Sequence, residues 1–343
     1  MNSSAHYSSH ITDCILASLP HRRWIKLRTE PDCYGASKVI SERLGLPFTP
    51  RSLANWQHGW IYNIVEMKYP EVFGIPSRYP FIVATESHAL TLVSHGYNAI
   101  AAGHPFVYAK SFNDTSITPI SNSALFMPPH GLEYTTESWS ELDIIDSLKR
   151  YIVDYDYVAA CIHPASIKKN QWVDSLRRLN IPVFSGATMA DSNSLLRISR
   201  LFSYFTTVFT PCIGSHVVYA ALSGCNVIII DPFCEWTPEY LQDDELFQQF
   251  PKLLEYVCWL QSETFCRKYF PFLFQHLSSS HNSFLLDWSQ VELGEAAMMS
   301  CANLSKHLGW EVKAQLKDLV FRTKQKTKKF ISYPRQNNEN SSY

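Results

Sequence analysis

The chain has 343 residues, enough for two domains of ordinary size, each with its own core. With 46% hydrophobic residues, 18% charged and a formal net charge of -1, it reads as globular, and no overall basic field argues for nucleic acid as a partner. The N-terminus has no basic segment leading into an apolar one, no run nears the ~18 apolar residues of a spanning helix, and the nine cysteines form no C-x-x-C pair. The expectation is a cytosolic chain with reduced core thiols, meeting the inner face of the plasma membrane peripherally at most.

In chain order, Ile11 to Leu19 reads as a strand or a short helix, and Ser37 to Leu44 as a helix followed by Pro47 and Pro50. Asn55-Trp-Gln-His-Gly-Trp-Ile-Tyr62 is an aromatic cluster around a His-Gly turn. Phe81 to Ala84 is a strand, Glu86 to His95 a helix with Gly96 at its C′ position, and Asn98 to Ala102 a strand, which makes one βαβ unit. Residues 110 to 122, rich in Ser, Thr, Asn and Pro, read as a linker.

A second series follows the linker. Its expected strands are Ala124 to Met127, Val158 to Ile162, Val183-Phe184, a run ending at Pro211, and Val227 to Ile230. Helices fall between them: Ser138 to Val153 with Ser138 and Glu141 at capping-box spacing, Ser166 to Leu179, Ser194 to Tyr204, and a short one reaching Gly224. From Pro238 the chain is helical and aromatic, residues 277 to 284 break it, and a last helical region covers roughly Gln290 to Val320. Strand and helix alternation in both halves predicts two α/β domains with parallel sheets. The boundaries read as 1–120, 121–290 and a C-terminal helical segment with basic tail, 291–343.

Polar turns recur at the strand ends, where open α/β sheets place their ligands: Pro129-His130-Gly131, His163-Pro164, Ser185-Gly186 and Gly214-Ser215-His216. The last puts a glycine, a hydroxyl and backbone N–H groups at a helix N-terminus, a phosphate-binding arrangement. His163 fits either a phosphate contact or a sheet-edge cap. His58 fits either a general base or a structural imidazole in a packed aromatic turn. Glu86, heading a helix, fits the base role or a carboxylate on the helix dipole. Asp231-Pro232 with Glu235 and Trp236 reads as a sugar or ribose contact or as a solvated turn. His88, His95 and His104 add imidazoles without the spacing of a helical H-x-x-x-H or H-E-x-x-H site, so no metal and no cofactor are expected, and the Gly-rich fingerprints of dinucleotide and P-loop sites are absent. Residues 322 to 331, with Arg322, Lys324, Lys326, Lys328 and Lys329 among Phe330 and Ile331, read as a frayed end or as a contact with an anionic membrane surface.

The order Trp-Gln-His-Gly-Trp, Pro-Pro-His-Gly, Ile-His-Pro, then Gly-Ser-His-Val-Val-Tyr-Ala-Ala-Leu-Ser-Gly resembles GT-B glycosyltransferases of bacterial capsule, lipopolysaccharide and teichoic-acid synthesis. His163-Pro164 and Ser215 are similar to the His-Pro and Ser motifs of bacterial sialyltransferases and β-Kdo transferases, and Trp56-Gln57-His58-Gly59 to the Trp-His-Gly segment of teichoic-acid glycerophosphotransferases. The resemblance covers residues 55 to 235. It implies the GT-B fold, two Rossmann-like domains facing a central cleft with C-terminal helices packing back. It also implies metal-independent transfer of a sugar from a nucleotide donor, CMP-linked first, to a surface polysaccharide or glycolipid. His58 or Glu86 would then be the base, and His130, Gly131, His163, Pro164, Ser185, Gly186, Gly214, Ser215, His216 and Glu235 the donor-binding residues. The sequence departs from the sialyltransferase pattern in two places: it has no Asp/Glu-Asp/Glu-Gly motif, and His216 stands where a second serine is usual. An epimerase or hydrolase on the same scaffold, or a non-catalytic glycan-binding partner, are the other functions these motifs admit.

Overall fold

The computed structural model describes residues 2–62, 79–110, 117–129, 139–241, 243, 245–249, 251–275 and 280–332. The chain enters through α1 (Asn2–Ser18), a 3-10 turn (Glu30–Gly35) and α2 (Ala36–Arg43). Then come β1 (Asn55–Trp56), β2 (Phe81–Val83), α3 (Glu86–Ser94), β3 (Ala99–Ala101) and α4 (Pro105–Lys110). These strands pair in parallel in the order β1-β2-β3. The next series is β4 (Ser123–Phe126), α5 (Glu141–Tyr151), β5 (Tyr157–Ile162), α6 (Pro164–Lys168), α7 (Val173–Arg178) and β6 (Val183–Ser185). It continues with α8 (Ser194–Phe202), β7 (Thr207–Thr210), α9 (Ser215–Leu222) and β8 (Asn226–Ile229). Its strands form an all-parallel sheet in the order β6-β5-β4-β7-β8. The expected α/β class with parallel sheets is therefore what the chain adopts.

Both faces of the five-stranded sheet are covered, which is why its strands read as unbroken apolar runs. Successive side chains point to opposite faces, so the residues of each strand part into two cores. Leu125, Ala159, Val208, Val227 and Ile229 join one; Phe126, Ala160, Phe209, Ile228 and Ile230 join the other, against Ile144, Ile145 and Leu148 of α5 and Leu176 of α7. In the three-stranded sheet Ile82 joins the first of these cores, while Phe81 and Val83 face Ala89 and Leu92 of α3. One apolar core thus runs from one sheet to the other.

After β8 the chain is helical: α10 (Pro238–Leu241), α11 (Glu245–Gln249), α12 (Pro251–Leu260), α13 (Glu263–Tyr269), α14 (Ser280–Glu292), α15 (Cys301–His307) and α16 (Val312–Ser332). Thr12 Oγ1 lies 2.9 Å from the Tyr157 hydroxyl, and Ile25 N donates to Ala190 O at 2.9 Å, so the first 35 residues lean on the five-stranded sheet. Leu53 N donates to Leu308 O and His104 N to Leu293 O, each at 2.8 Å, so the segments that end α14 and α15 meet the three-stranded one, while α14 itself packs on α9 and β8 of the five-stranded sheet.

Several boundaries differ from the sequence reading. The expected cap Ser138 lies outside the described residues; α5 is capped by Ser140, whose Oγ accepts from Asp143 N at 3.3 Å. Glu141, expected to close a capping box, reaches across to Trp172 N at 2.9 Å and Ser175 Oγ at 2.5 Å and ties α7 to α5. The single helix expected over 166–179 is two, because Asn170 and Trp172 take left-handed backbone; burial of the Trp172 indole edge-on to Phe126 offsets that strain. The expected break at 277–284 gives way to helix from Ser280, and the helical region expected from Gln290 is divided at Gly294 and Gly309, both at positive φ. The tail is not frayed through 322–331: α16 continues to Ser332.

Candidate functional site

The five-residue turn Trp56-Gln-His-Gly-Trp60 has a task for each member. Trp56 is fully buried and its Nε1 donates to Gly103 O at 3.1 Å. Gln57 clamps the turn: its Oε1 accepts from Ala84 N at 3.2 Å and its Nε2 donates to Gly59 O at 3.1 Å. Gly59 sits at φ 90°, which a side chain would strain. Trp60 N donates to Ser215 Oγ at 2.8 Å and its indole N–H to Glu292 Oε2 at 2.8 Å, which ties the turn to α9 and α14. This leaves His58, half-buried, with Nδ1 3.0 Å from Glu30 Oε1. A carboxylate only accepts, so Nδ1 carries the hydrogen and Nε2 is the basic nitrogen.

The facing wall is the turn between β7 and α9. Thr210, buried at the strand end, organises it: its hydroxyl bonds Cys212 O at 3.2 Å and lies 2.9 Å from His216 Nε2. No side chain caps α9, whose N-cap is Gly214. The helix N-terminus therefore opens towards the crevice with its dipole uncompensated by a cap. Counted within its own sheet the strand order is 3-2-1-4-5, so β4 and β7 flank the point where the order reverses, the place such sheets use for ligands.

Between these walls runs a hydrogen-bonded chain that the sequence reading did not contain. Burial pushes the His104 imidazole down to about 3, so it is neutral at pH 7. Its Nδ1 accepts from Phe106 N at 3.1 Å, which places the hydrogen on Nε2, 3.2 Å from the Tyr219 hydroxyl. The Tyr219 phenol also meets the Ser215 side chain, one turn earlier on α9, and burial holds it well above its usual range. Ser215 Oγ thus accepts Trp60 N–H, meets the Tyr219 phenol and lines the crevice.

The crevice is a cavity of about 360 Å³, at the lower end for small-molecule sites. His58, His163, Gly186, Gly214, Ser215 and His216 of the expected residues line it, together with Trp60, Tyr62, His104 and Trp236. The carboxyl ends of both sheets therefore meet in one space. The other expected residues lie elsewhere. Glu86 is exposed in the first turn of α3 and Glu235, also exposed, accepts from Glu263 N at 2.6 Å to cap α13; neither lines the cavity. Ser185 Oγ accepts from Arg22 at 2.5 Å, and Pro164 opens α6 behind His163, whose Nδ1 accepts from Ala165 N at 3.2 Å. His130 and Gly131 lie outside the described residues. Among the described residues no three His, Cys, Asp or Glu side chains converge as a metal site would require.

Glu30, Tyr34, His104 and Tyr219 are the site residues the sequence reading missed. For His104 a signal existed: His104-Pro105 repeats His163-Pro164, a histidine after a strand whose Nδ1 accepts from the N–H two residues on, once in each sheet. For Glu30 there was none, since it reaches His58 from a 3-10 turn that only the tertiary fold brings near.

His104 gives a pH prediction together with His88, which burial pushes down to about 4. Unfolded histidine takes its proton near 6.5, whereas these two resist it until about 3 and 4. Between those limits the unfolded state binds more protons, so stability is fully present above about 6.5 and is lost as pH falls, by up to about 1.4 kcal/mol per pH unit for each group. Urea unfolding at pH 7 and pH 5 measures it; a slope unchanged in His104→Gln would contradict the assignment.

No protein-family model matches this chain and no curated protein matches its sequence, so what the cavity holds is decided by its own residues.

Proposed function

We propose that the chain is a GT-B glycosyltransferase that moves a sugar from a nucleotide-activated donor, CMP-linked first, to a polysaccharide or glycolipid acceptor at the inner face of the plasma membrane. The observation that supports this reading best is the meeting of two parallel sheets' carboxyl ends in one cavity, with an imidazole–carboxylate pair on one wall and an uncapped helix N-terminus on the other. The donor's phosphate sits at the N-terminus of α9, where the helix dipole and the Ser215 hydroxyl stabilise the charge that grows on it as the glycosidic bond breaks. His58 Nε2 takes the proton of the acceptor hydroxyl as that oxygen attacks, and Glu30 holds the imidazole in the reactive tautomer and stabilises its charged form. Trp60, Tyr62 and Trp236 offer flat apolar faces to a base or sugar ring. The roles require no metal, because dipole, hydroxyl and imidazole meet the phosphate charge.

A thermal-shift series with CMP, CDP, UDP and GDP tests the reading. A nucleotide present at about a hundredfold over its Kd stabilises the native state by about 2.7 kcal/mol, which for a chain of this length raises Tm by about 4 °C. A rise with one nucleotide and not the others names the donor base. Absence of any rise, with no turnover of the corresponding nucleotide sugars, would sink the proposal.

A further inference from the structure

α16 is mounted the wrong way round for a surface helix: its polar side meets the protein and its apolar side meets solvent. The inward seam is Gln315, Asp318 and Arg322. Asp318 accepts from the Tyr79 hydroxyl at 2.7 Å and from Arg322 Nε at 2.6 Å, and Gln315 Nε2 donates to Arg51 O at 2.8 Å and Gly309 O at 2.6 Å. Away from that seam stand Val312, Leu316, Leu319 and Val320, exposed by 76%, 56%, 52% and 54%. Their spacing of four, three and one residues puts them on a single stripe.

The same helix concentrates charge. Of its 21 residues seven are Lys or Arg and one is acidic, and that one, Asp318, is taken up in the inward seam. The whole chain carries a net charge of -1, so the positive charge is localised here. Lys313 and Lys317, both exposed, alternate with the apolar stripe. Among the described residues no helix is long and apolar enough to cross a membrane.

We infer that α16 docks the protein on a bilayer containing anionic lipid, lying in the plane of the interface with Val312, Leu316, Leu319 and Val320 in the acyl boundary and Lys313 and Lys317 among the headgroups. A second copy of the chain is a poorer occupant: apposing two such stripes would bring two strongly basic helices together. A bilayer offers both things the face lacks, an apolar layer and negative charge. The inference sharpens the peripheral membrane contact expected of residues 322–331 by placing the apolar contact one to three turns earlier, and it stands whatever the cavity binds.

The test is sedimentation of the full chain with vesicles of phosphatidylcholine, with and without phosphatidylglycerol. Binding is expected to the anionic vesicles alone, to weaken with salt, and to fall about tenfold in the double variant L316S/V320S, whose exposed positions leave Tm unchanged. K313E/K317E is expected to lower it by a similar factor. No sedimentation with anionic vesicles, equal binding to neutral ones, or binding that L316S/V320S leaves intact would each overturn it. A concentration-dependent dimer in ultracentrifugation that L316S/V320S abolishes, without vesicle binding, would assign the stripe to a second copy instead.

Discussion

His58→Ala is expected to lower the transfer rate by about 10²–10⁴-fold, the usual worth of a positioned general base, while the nucleotide still raises Tm as it does for the unaltered chain. The separation follows from where the residue stands. His58 belongs to the three-stranded sheet's wall and bonds Glu30, whereas the uncapped α9 terminus and Ser215 form the other wall. Loss of the imidazole removes the proton acceptor but leaves the phosphate site, so kcat falls and nucleotide affinity is retained. Glu30→Gln refines the assignment. The amide keeps the size of the side chain and can still accept from Nδ1, but it no longer offers a charge to stabilise the protonated ring, so an intermediate loss of about tenfold is expected. Rates measured under saturating donor decide the matter. If His58→Ala retained a tenth or more of the activity, the base would have to be sought elsewhere, and no other expected candidate is near: Glu86 is exposed on α3 and outside the cavity lining.

The relation of Ser215 to Trp60 bears on how such a site could work. Gly59 and Trp60 do not face α9 across an open gap; Trp60 N–H is bonded to the very hydroxyl proposed to meet the phosphate, and a Cβ on Gly59 would come within 3.5 Å of it. The wall that carries the base and the wall that carries the phosphate site are therefore in register through one hydrogen bond. His104 and Tyr219 support that junction from below, with the Tyr219 ring stacked on Phe106 at 4.1 Å.

The parts of this arrangement that could be read in the sequence are those whose cause is local. A parallel sheet covered on both sides writes unbroken apolar strands such as Val227 to Ile230, and its ligands gather after the strand ends, so Ser215, His163 and His58 stand out in the sequence itself. Gly96 was legible for the same reason: it ends α3 at φ 85° with Gly96 N bonded to Val93 O and Tyr97 N to Leu92 O, a glycine stop that needs only its own helix. β1 was not legible, since two residues show no period and its pairing with β2 depends on residues some 25 positions away. Nor was Glu30, whose meeting with His58 is made by packing. Glu86 and Glu235 misled because a carboxylate after a strand looks alike whether it serves a substrate or a helix terminus; here each is used by, or heads, a helix.

Gly35→Ala is expected to destabilise the protein by about 3–5 kcal/mol, among the larger single-residue effects. Gly35 closes the 3-10 turn that presents Glu30 and Tyr34, at φ 85°. A Cβ there would lie 1.9 Å from Ser192 O, 2.5 Å from Ser192 C and 2.9 Å from its Cα, all backbone atoms that cannot swing aside. Nor can that backbone shift freely, because Ser192 N donates to Arg23 O at 2.9 Å and Asp191 accepts from Arg23 N and from Asn193 N. Gly96→Ala is the matched control, with the same φ of 85° and nothing within 4 Å of its Cβ. It carries the backbone strain alone, about 1–2 kcal/mol. The difference between the two variants in urea unfolding therefore measures the close approach by itself, and equal losses would show that the turn does not press on residue 192. The turn also carries the site. Relief of the overlap moves Glu30 away from His58 Nδ1, so whatever fraction of Gly35→Ala remains folded should lose activity as Glu30→Gln does, whereas Gly96→Ala, remote from the cavity lining, keeps the rate per folded molecule.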